Sequence, residues 1–147
     1  MGLSDWDLDQ LAADAAVTAG LLRNGAVVAL FSIATLLAGL MPWLLGHPAS
    51  GAALMTAIAI AGVQGFFALR VRFDATLFGI WASRWQAGTD PTADLAAFDK
   101  RIGRPGICAL SLWENLDRRR CGALQLLRRQ ILCVGLQVVL TAVALWI

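Results

Sequence analysis

Charged side chains are scarce in this sequence. Asp, Glu, Lys and Arg together make up 15% of the 147 residues, against about 25% in a typical soluble domain. Hydrophobic residues make up 59% even without glycine, and the mean hydropathy is +0.68. A soluble protein of this size cannot bury so much apolar side chain, because its surface is large relative to its volume. The composition therefore excludes an ordinary soluble enzyme fold and a disordered tail, and it predicts a membrane protein.

Residues that commonly build catalytic or metal sites are also few. The single histidine, His47, lies in a turn beside Pro48 between two apolar stretches. One histidine cannot build a typical zinc site, and no acidic residue is expected on its side of a membrane to complete a catalytic triad. Cys108, Cys121 and Cys133 are odd in number and lack CxxC spacing, which favours free thiols. The sequence contains no glycine-rich phosphate loop and no nucleophile elbow. We therefore expect no catalytic residue, no metal and no cofactor.

Three long apolar stretches carry most of the hydrophobic residues. Residues 24–46, 49–69 and 130–147 contain no Asp, Glu, Lys or Arg. As helices they would be about 34, 31 and 27 Å long, close to the ~30 Å thickness of the hydrocarbon core of a bilayer. The sequence therefore predicts an all-α integral membrane protein with three transmembrane helices. Spans one and two form a hairpin, a cytoplasmic helical section follows, and span three ends the chain.

The basic residues indicate how these spans are oriented. Arg23 precedes the first span, and the other eleven basic residues lie between Arg70 and Arg129. The turn at His47 and the end of the chain carry no Lys or Arg. Under the positive-inside rule, the N-terminus and the middle segment are cytoplasmic and the C-terminus is periplasmic. Frequent Ala, Leu and Arg with little Lys suggest a bacterial source, so we expect a multi-pass protein of the bacterial inner membrane.

The segments outside the spans also have helical patterns. Residues 1–23 predict a cytoplasmic amphipathic helix that starts at Ser4 and has Trp6 on its apolar side. The second span continues as a helix to about residue 87, and residues 90–129 predict a cytoplasmic helical segment. Within that segment, helix starts are predicted at Pro91 and at Ser111, which forms a capping-box pattern with Glu114. No repeat or strand pattern is evident, so residues 1–147 are interpreted as a single membrane domain.

Two features of the spans favour helix packing or a partner interface. Small residues recur every four positions along span two, a pattern that lets helix backbones approach closely in lipid. Glutamine amides within hydrocarbon need hydrogen-bond partners, which neighbouring helices commonly supply. The residues predicted for this role are Ala53, Ala57, Ala61, Gly65, Gln64 and Gln137.

Aromatic and basic residues of the cytoplasmic part are candidate contacts with lipid or protein. Arginines beside a membrane span attract anionic lipid by about 1 kcal/mol per charge. Interspersed acidic residues and the negative leaflet argue against nucleic acid as a partner. The predicted contact residues are Phe73, Trp81, Trp85, Arg118, Arg119 and Arg120.

Three functions are compatible with these features. The favoured one is a non-catalytic accessory, scaffold or assembly subunit of a larger bacterial inner-membrane complex, because no ionisable residue lies within a span. Its expected partners are membrane lipid and other membrane-protein subunits. The first alternative is a small homo-oligomeric channel or transporter lined by Gln64 and Gln137. The second is a membrane-embedded enzyme acting on lipid, for which Asp74 and Glu114 are the residues to test.

Overall fold

The computed structural model describes residues 4–46, 50–103 and 111–146, and within these ranges every regular element is a helix. The five helices are α1 (Asp5–Arg23), α2 (Gly25–Leu44), α3 (Ser50–Gln86), α4 (Pro91–Arg101) and α5 (Leu112–Trp146). The predicted all-α class is thus confirmed. Three stretches are long and apolar enough to cross a membrane, namely Trp6–Leu44, Gly51–Gln86 and Leu112–Val143. His47 and Cys108, for which no special role was predicted, lie outside the described residues.

Two of the helices begin at capping boxes. Ser4 Oγ accepts a hydrogen bond from the backbone N–H of Asp7, and the Asp7 carboxylate accepts one from the Ser4 N–H. The same reciprocal pair joins Ser111 and Glu114 at the start of α5. Each box satisfies a backbone N–H that has no partner inside its helix, which explains why both helices begin where the sequence predicts.

Capping and turn residues set the limits of the short helix α4. Asp90 accepts a hydrogen bond from the Thr92 N–H at 2.9 Å, and Pro91 occupies the first helical position. Proline suits that position because its missing N–H would have no helical partner there. Gly88 after α3 and Gly103 after α4 have positive φ values of 81° and 67°, a conformation that favours glycine.

The chain divides into two compact units. The described residues of Met1–Leu22 and Phe73–Leu124 form one unit, and those of Arg23–Arg72 and Gln125–Ile147 form the other. All ten acidic residues of the sequence fall in the first, which we call the charged unit. The second contains no Asp or Glu and is called the apolar unit. α3 and α5 each contribute residues to both units.

Buried positions recur every seven residues along the three long stretches. In α3 they are residues 57, 64, 71, 78 and 85, and in α5 residues 116, 123, 130 and 137. The corresponding positions are 11 and 18 in α1 and 25, 32 and 39 in α2. This spacing is typical of helices that pack side by side with knobs in holes. Trp6, which was expected on the apolar side of α1, is 66% exposed.

Candidate functional site

Contacts in the apolar unit define the directions of its three helices. A Cβ added to Gly25, at the start of α2, would lie 2.8 Å from Val71 Cγ1 and 3.1 Å from Gln130 Oε1. A Cβ on Gly51, at the start of α3, would lie 3.8 Å from the Trp43 ring near the end of α2. α2 and α3 therefore run antiparallel. α2 and α5 run parallel, because seven residues past Gly25 and Gln130 the two helices are again in contact.

That second contact is a closed pair of hydrogen bonds between buried side chains and backbone. Ser32 Oγ donates to Gln137 Oε1 at 2.7 Å, and Gln137 Nε2 donates to the Ser32 carbonyl oxygen at 3.0 Å. Both residues are buried. Gln137 was predicted as a packing residue, and this pair joins α5 to α2 within one chain. Such bonds stabilise membrane helix contacts by roughly 0.6 kcal/mol each.

Gln130, seven residues before Gln137 in α5, forms a further hydrogen bond between α5 and α2. Its Nε2 donates to the Gly25 carbonyl oxygen at 2.7 Å, and the side chain is fully buried. α3 also approaches α2 here, so closely that a Cβ at position 25 would lie 2.8 Å from Val71 Cγ1. The sequence analysis took Gln130 only as the start of a span. Its spacing of seven residues from Gln137 was the signal that could have identified it.

Gln64 is buried in α3 at the level of the Ser32–Gln137 pair. It is 4% exposed, and its Nε2 has no hydrogen-bond partner among the described residues. Ser32 lies seven residues after Gly25 in α2, and Gln64 lies seven residues before Val71 in α3. Because Gly25 is in contact with Val71 and the two helices are antiparallel, Ser32 and Gln64 lie at the same level. The three polar residues therefore occupy one layer of an otherwise apolar unit. Gln130 Oε1 and Thr141 Oγ1 also have no described partner.

The predicted small-residue stripe does not lie on a single face of α3. Ala57 is buried, whereas Ala53, Ala61 and Gly65 are each half-buried. A helix has 3.6 residues per turn, so positions four apart advance by about 40° at each step and wind around the helix. A Cβ added to Gly65, or to the exposed Gly62, would meet nothing within 4 Å. The outer part of the stripe is thus open to another helix or to lipid.

The charged unit contains a cluster of aromatic rings on α3 and α4. Trp81 and Trp85 stack with their ring centres 5.9 Å apart and their planes 6° apart. Phe78 and Phe98 approach Trp81 edge-on, at 5.4 and 5.5 Å. Trp81 and Trp85 are buried, so these two predicted contact residues serve the interior of their own unit. The Trp85 Nε1 has no hydrogen-bond partner among the described residues.

Arg119 connects this aromatic cluster to an acidic partner. Its guanidinium lies over the rings of Trp81 and Phe98, at 5.7 and 5.3 Å from their centres. It also forms an ion pair with Asp99 and donates to Asn115 Oδ1 at 2.8 Å. The side chains of the ion pair are only 16% and 12% exposed. Arg119 therefore fixes α4 against α3 and α5, and Asp99 and Phe98 are residues that the sequence analysis missed.

The other predicted contact residues are more accessible. Phe73 is 53% exposed and Arg118 is exposed, while Arg120 is half-buried. Arg84 forms two hydrogen bonds with Asp94, at 2.9 and 2.8 Å, and so secures the start of α4 to α3. Basic residues that look alike in the sequence thus divide into those that hold helices together and those that face outward.

A cleft of about 350 Å³ lies between α1 and α5 in the charged unit. Three carboxylates and one guanidinium line it, together with a tryptophan ring. The lining residues are Asp14, Thr18, Trp113, Glu114, Leu116, Asp117 and Arg120. In the part of the chain that the structure describes, no group of three or more His, Cys, Asp or Glu side chains could hold a metal ion.

Comparison of the chain with protein-family models, with curated protein sequences and with solved structures finds no match in any of the three.

Proposed function

We propose that this chain is a non-catalytic scaffold or assembly subunit of a larger complex in the bacterial inner membrane. The apolar unit crosses the bilayer, and the charged unit lies in the cytoplasm. The observation that carries the proposal is that buried polar side chains form contacts within the chain. Those best suited to chemistry or recognition, such as Gln137, Gln130 and Arg119, instead bind neighbouring helices of the same chain.

The outer surface of the apolar unit supports placement in lipid. Large apolar side chains there are more than half exposed on all three helices. They include Leu30, Phe31, Met55, Phe66, Leu132 and Val139. In water such a surface would aggregate, whereas in a bilayer it is the surface expected of a spanning bundle. The basic residues place the charged unit on the cytoplasmic side by the positive-inside rule.

The open small-residue surface of α3 supports a partner subunit. Gly62 and Gly65 lie one turn apart, and nothing in the described chain occupies the space beside either of them. Small residues allow a second helix backbone to approach closely, which is the main source of helix association in lipid. We therefore place the contact with another membrane subunit on this part of α3.

The test is purification of the tagged full-length protein in mild detergent, with quantitative mass spectrometry of the subunits that come with it. Gly62→Leu and Gly65→Leu should each remove the partner, because a leucine side chain would fill the space that the partner backbone needs. Gly135→Leu is the matched control, since a Cβ at this α5 position also meets nothing within 4 Å. A partner that is retained in both α3 variants, or lost equally in the control, would contradict the proposal.

A second candidate is a polar pathway through the apolar unit. The buried polar atoms without a described partner, on Gln64, Gln130 and Thr141, favour it. In the sequence-based alternative, a small homo-oligomeric channel or transporter, Gln64 and Gln137 line the path, and both are buried within one chain. Ion and water flux into liposomes containing the purified protein alone tests this candidate. Flux that Gln64→Leu abolishes would favour it over the scaffold.

A further inference from the structure

The apolar unit contains five arginines and no Asp or Glu. The arginines are Arg23, Arg70, Arg72, Arg128 and Arg129, and all five are exposed. The sequence has no Asp or Glu between residues 15 and 73 or after residue 117. In the described chain, no ion pair with a carboxylate involves Arg23, Arg70, Arg128 or Arg129. By contrast, Arg84 and Arg119 of the charged unit are both paired.

These arginines lie at the end of α1, in α3 and in α5, close in sequence to residues that meet at one layer of the apolar unit. Arg23 lies two residues before Gly25, Arg70 and Arg72 flank Val71, and Arg129 immediately precedes Gln130. Gly25 closely approaches both Val71 and Gln130. The five arginines therefore lie near one end of the apolar unit, and we call them the arginine belt. The described residues at the opposite end of the unit carry no charged side chain.

Exposed apolar side chains lie close in sequence to the arginine belt, in α2, α3 and α5. Val27 lies four residues after Arg23, Leu69 directly precedes Arg70, and Ile131 and Leu132 follow Arg129. A ligand that fits this surface must carry negative charge at one end and hydrocarbon at the other. A phosphodiester with acyl chains has this form, and arginine can bind its phosphate oxygens through two parallel N–H bonds.

We propose that the arginine belt binds the headgroups of anionic phospholipids, whose acyl chains lie against the apolar side chains next to it. The proposal rests on the membrane placement given under the proposed function. It narrows the sequence-based expectation, which gave anionic lipid as a partner of the arginines beside the spans in general. Arg118, Arg119 and Arg120 belong to the charged unit, and Arg119 is already bound to Asp99 there.

The experiment uses the full-length protein in nanodiscs of equal parts phosphatidylglycerol and phosphatidylcholine. Native mass spectrometry of the released protein measures the ratio of the two lipids that remain bound. We expect phosphatidylglycerol to be enriched about fivefold or more over its share of the bilayer. Raising NaCl from 0.05 to 0.5 M before release should lower this enrichment by at least half, since salt screens charge. No enrichment, or enrichment that salt does not change, would overturn the proposal.

Two charge-removing variants locate the binding site. Arg70→Gln/Arg72→Gln and Arg128→Gln/Arg129→Gln should each reduce the enrichment at least twofold. The control, Arg101→Gln/Arg118→Gln, removes the same charge from exposed positions of the charged unit and should leave the enrichment unchanged. An equal loss in the control would show general charge attraction and contradict the proposal. If a belt variant does not fold, the salt dependence of the unchanged protein decides.

Two further outcomes separate the possible reasons for failure. Inorganic phosphate, added at constant ionic strength, should not displace phosphatidylglycerol, because a free ion lacks the acyl chains. Displacement by phosphate would identify a simple anion site and overturn the lipid assignment. Failure of the protein to enter nanodiscs at all would contradict the membrane placement, whereas entry without lipid enrichment would contradict only the arginine belt.

Discussion

The two units of this protein are stabilised by opposite kinds of contact. The charged unit has an interior of stacked rings around Trp81 and an ion pair between Arg119 and Asp99. The apolar unit has glycine, serine and glutamine in its interior and large apolar side chains outside. The difference indicates different surroundings. Hydrophobic burial favours rings inside where water is outside. In lipid that preference disappears, and close packing and hydrogen bonds between helices remain.

The largest effect should come from breaking the ion pair of the charged unit. Arg119→Ala leaves the carboxylate of Asp99 without its partner in a mostly buried position and removes the two ring contacts. We expect a loss of about 2–3 kcal/mol in the free energy of unfolding, somewhat less than for a fully buried pair. Hydrogen exchange should rise in α4, which Arg119 fixes in place. Unchanged exchange in α4 would contradict the role assigned to Arg119.

A smaller effect is expected from filling the closest helix contact of the apolar unit. Gly25→Val places side-chain atoms where Val71 and Gln130 already lie, and overpacking of this kind typically costs about 1–3 kcal/mol. Gly135→Val, at an open position, is the matched control for the change of residue type. Unfolding in mixed micelles with increasing dodecyl sulfate measures both variants. Equal stability of the two would show that α2 does not approach its neighbours this closely.

The smallest effects are expected for Gln137→Leu and Gln64→Leu, which should change the free energy of unfolding in different directions. Gln137→Leu removes two hydrogen bonds and should destabilise the apolar unit by about 1 kcal/mol. Gln64→Leu removes a buried amide whose Nε2 has no described partner, so it should leave stability unchanged or raise it by up to about 1 kcal/mol. The same micelle titration compares the two variants. A clear loss of stability for Gln64→Leu would show that this amide has a bound partner, such as a buried water.

The helical class and the helix limits could be predicted because they depend on local signals. Long uncharged runs predicted the spans, and the serine of each capping box predicted the first residue of its helix within one position. Pro91 and the two flanking glycines likewise set the limits of α4. Each of these signals acts through the backbone of residues close together in sequence, so no tertiary information is needed to interpret it.

The inward faces of the membrane helices could not be predicted from hydropathy. Ala57 and Val71 are buried in α3, whereas Met55 and Phe66, which are also apolar, lie on its outside, so an apolar side chain does not by itself mark the inward face. The four-residue alanine pattern gave a stripe that winds around the helix. The seven-residue spacing of Gln130 from Gln137, and of Gly25 from Ser32, carried the information about packing, but it becomes meaningful only when two helices are compared.

The different surroundings of three adjacent arginines could not be predicted from the sequence either. Arg118, Arg119 and Arg120 are adjacent, yet one lies against two rings and another is exposed. On a helix, neighbouring residues point about 100° apart. Which of the three side chains turns inward depends on where α4 lies, because Asp99 of α4 is the acidic partner of Arg119.

The central claim is that the apolar unit crosses a bilayer with the charged unit on its cytoplasmic side. Labelling with a membrane-impermeant maleimide tests it most directly, using Cys121 of the charged unit, which is exposed, and an introduced Leu45→Cys at the far end of α2. Cys108 and Cys133 are changed to serine in both proteins, and Cys121 is also changed to serine in the Leu45→Cys protein. In spheroplasts the account predicts labelling of Leu45→Cys alone, and in inverted membrane vesicles labelling of Cys121 alone. Labelling of both from the same side of the membrane would contradict it.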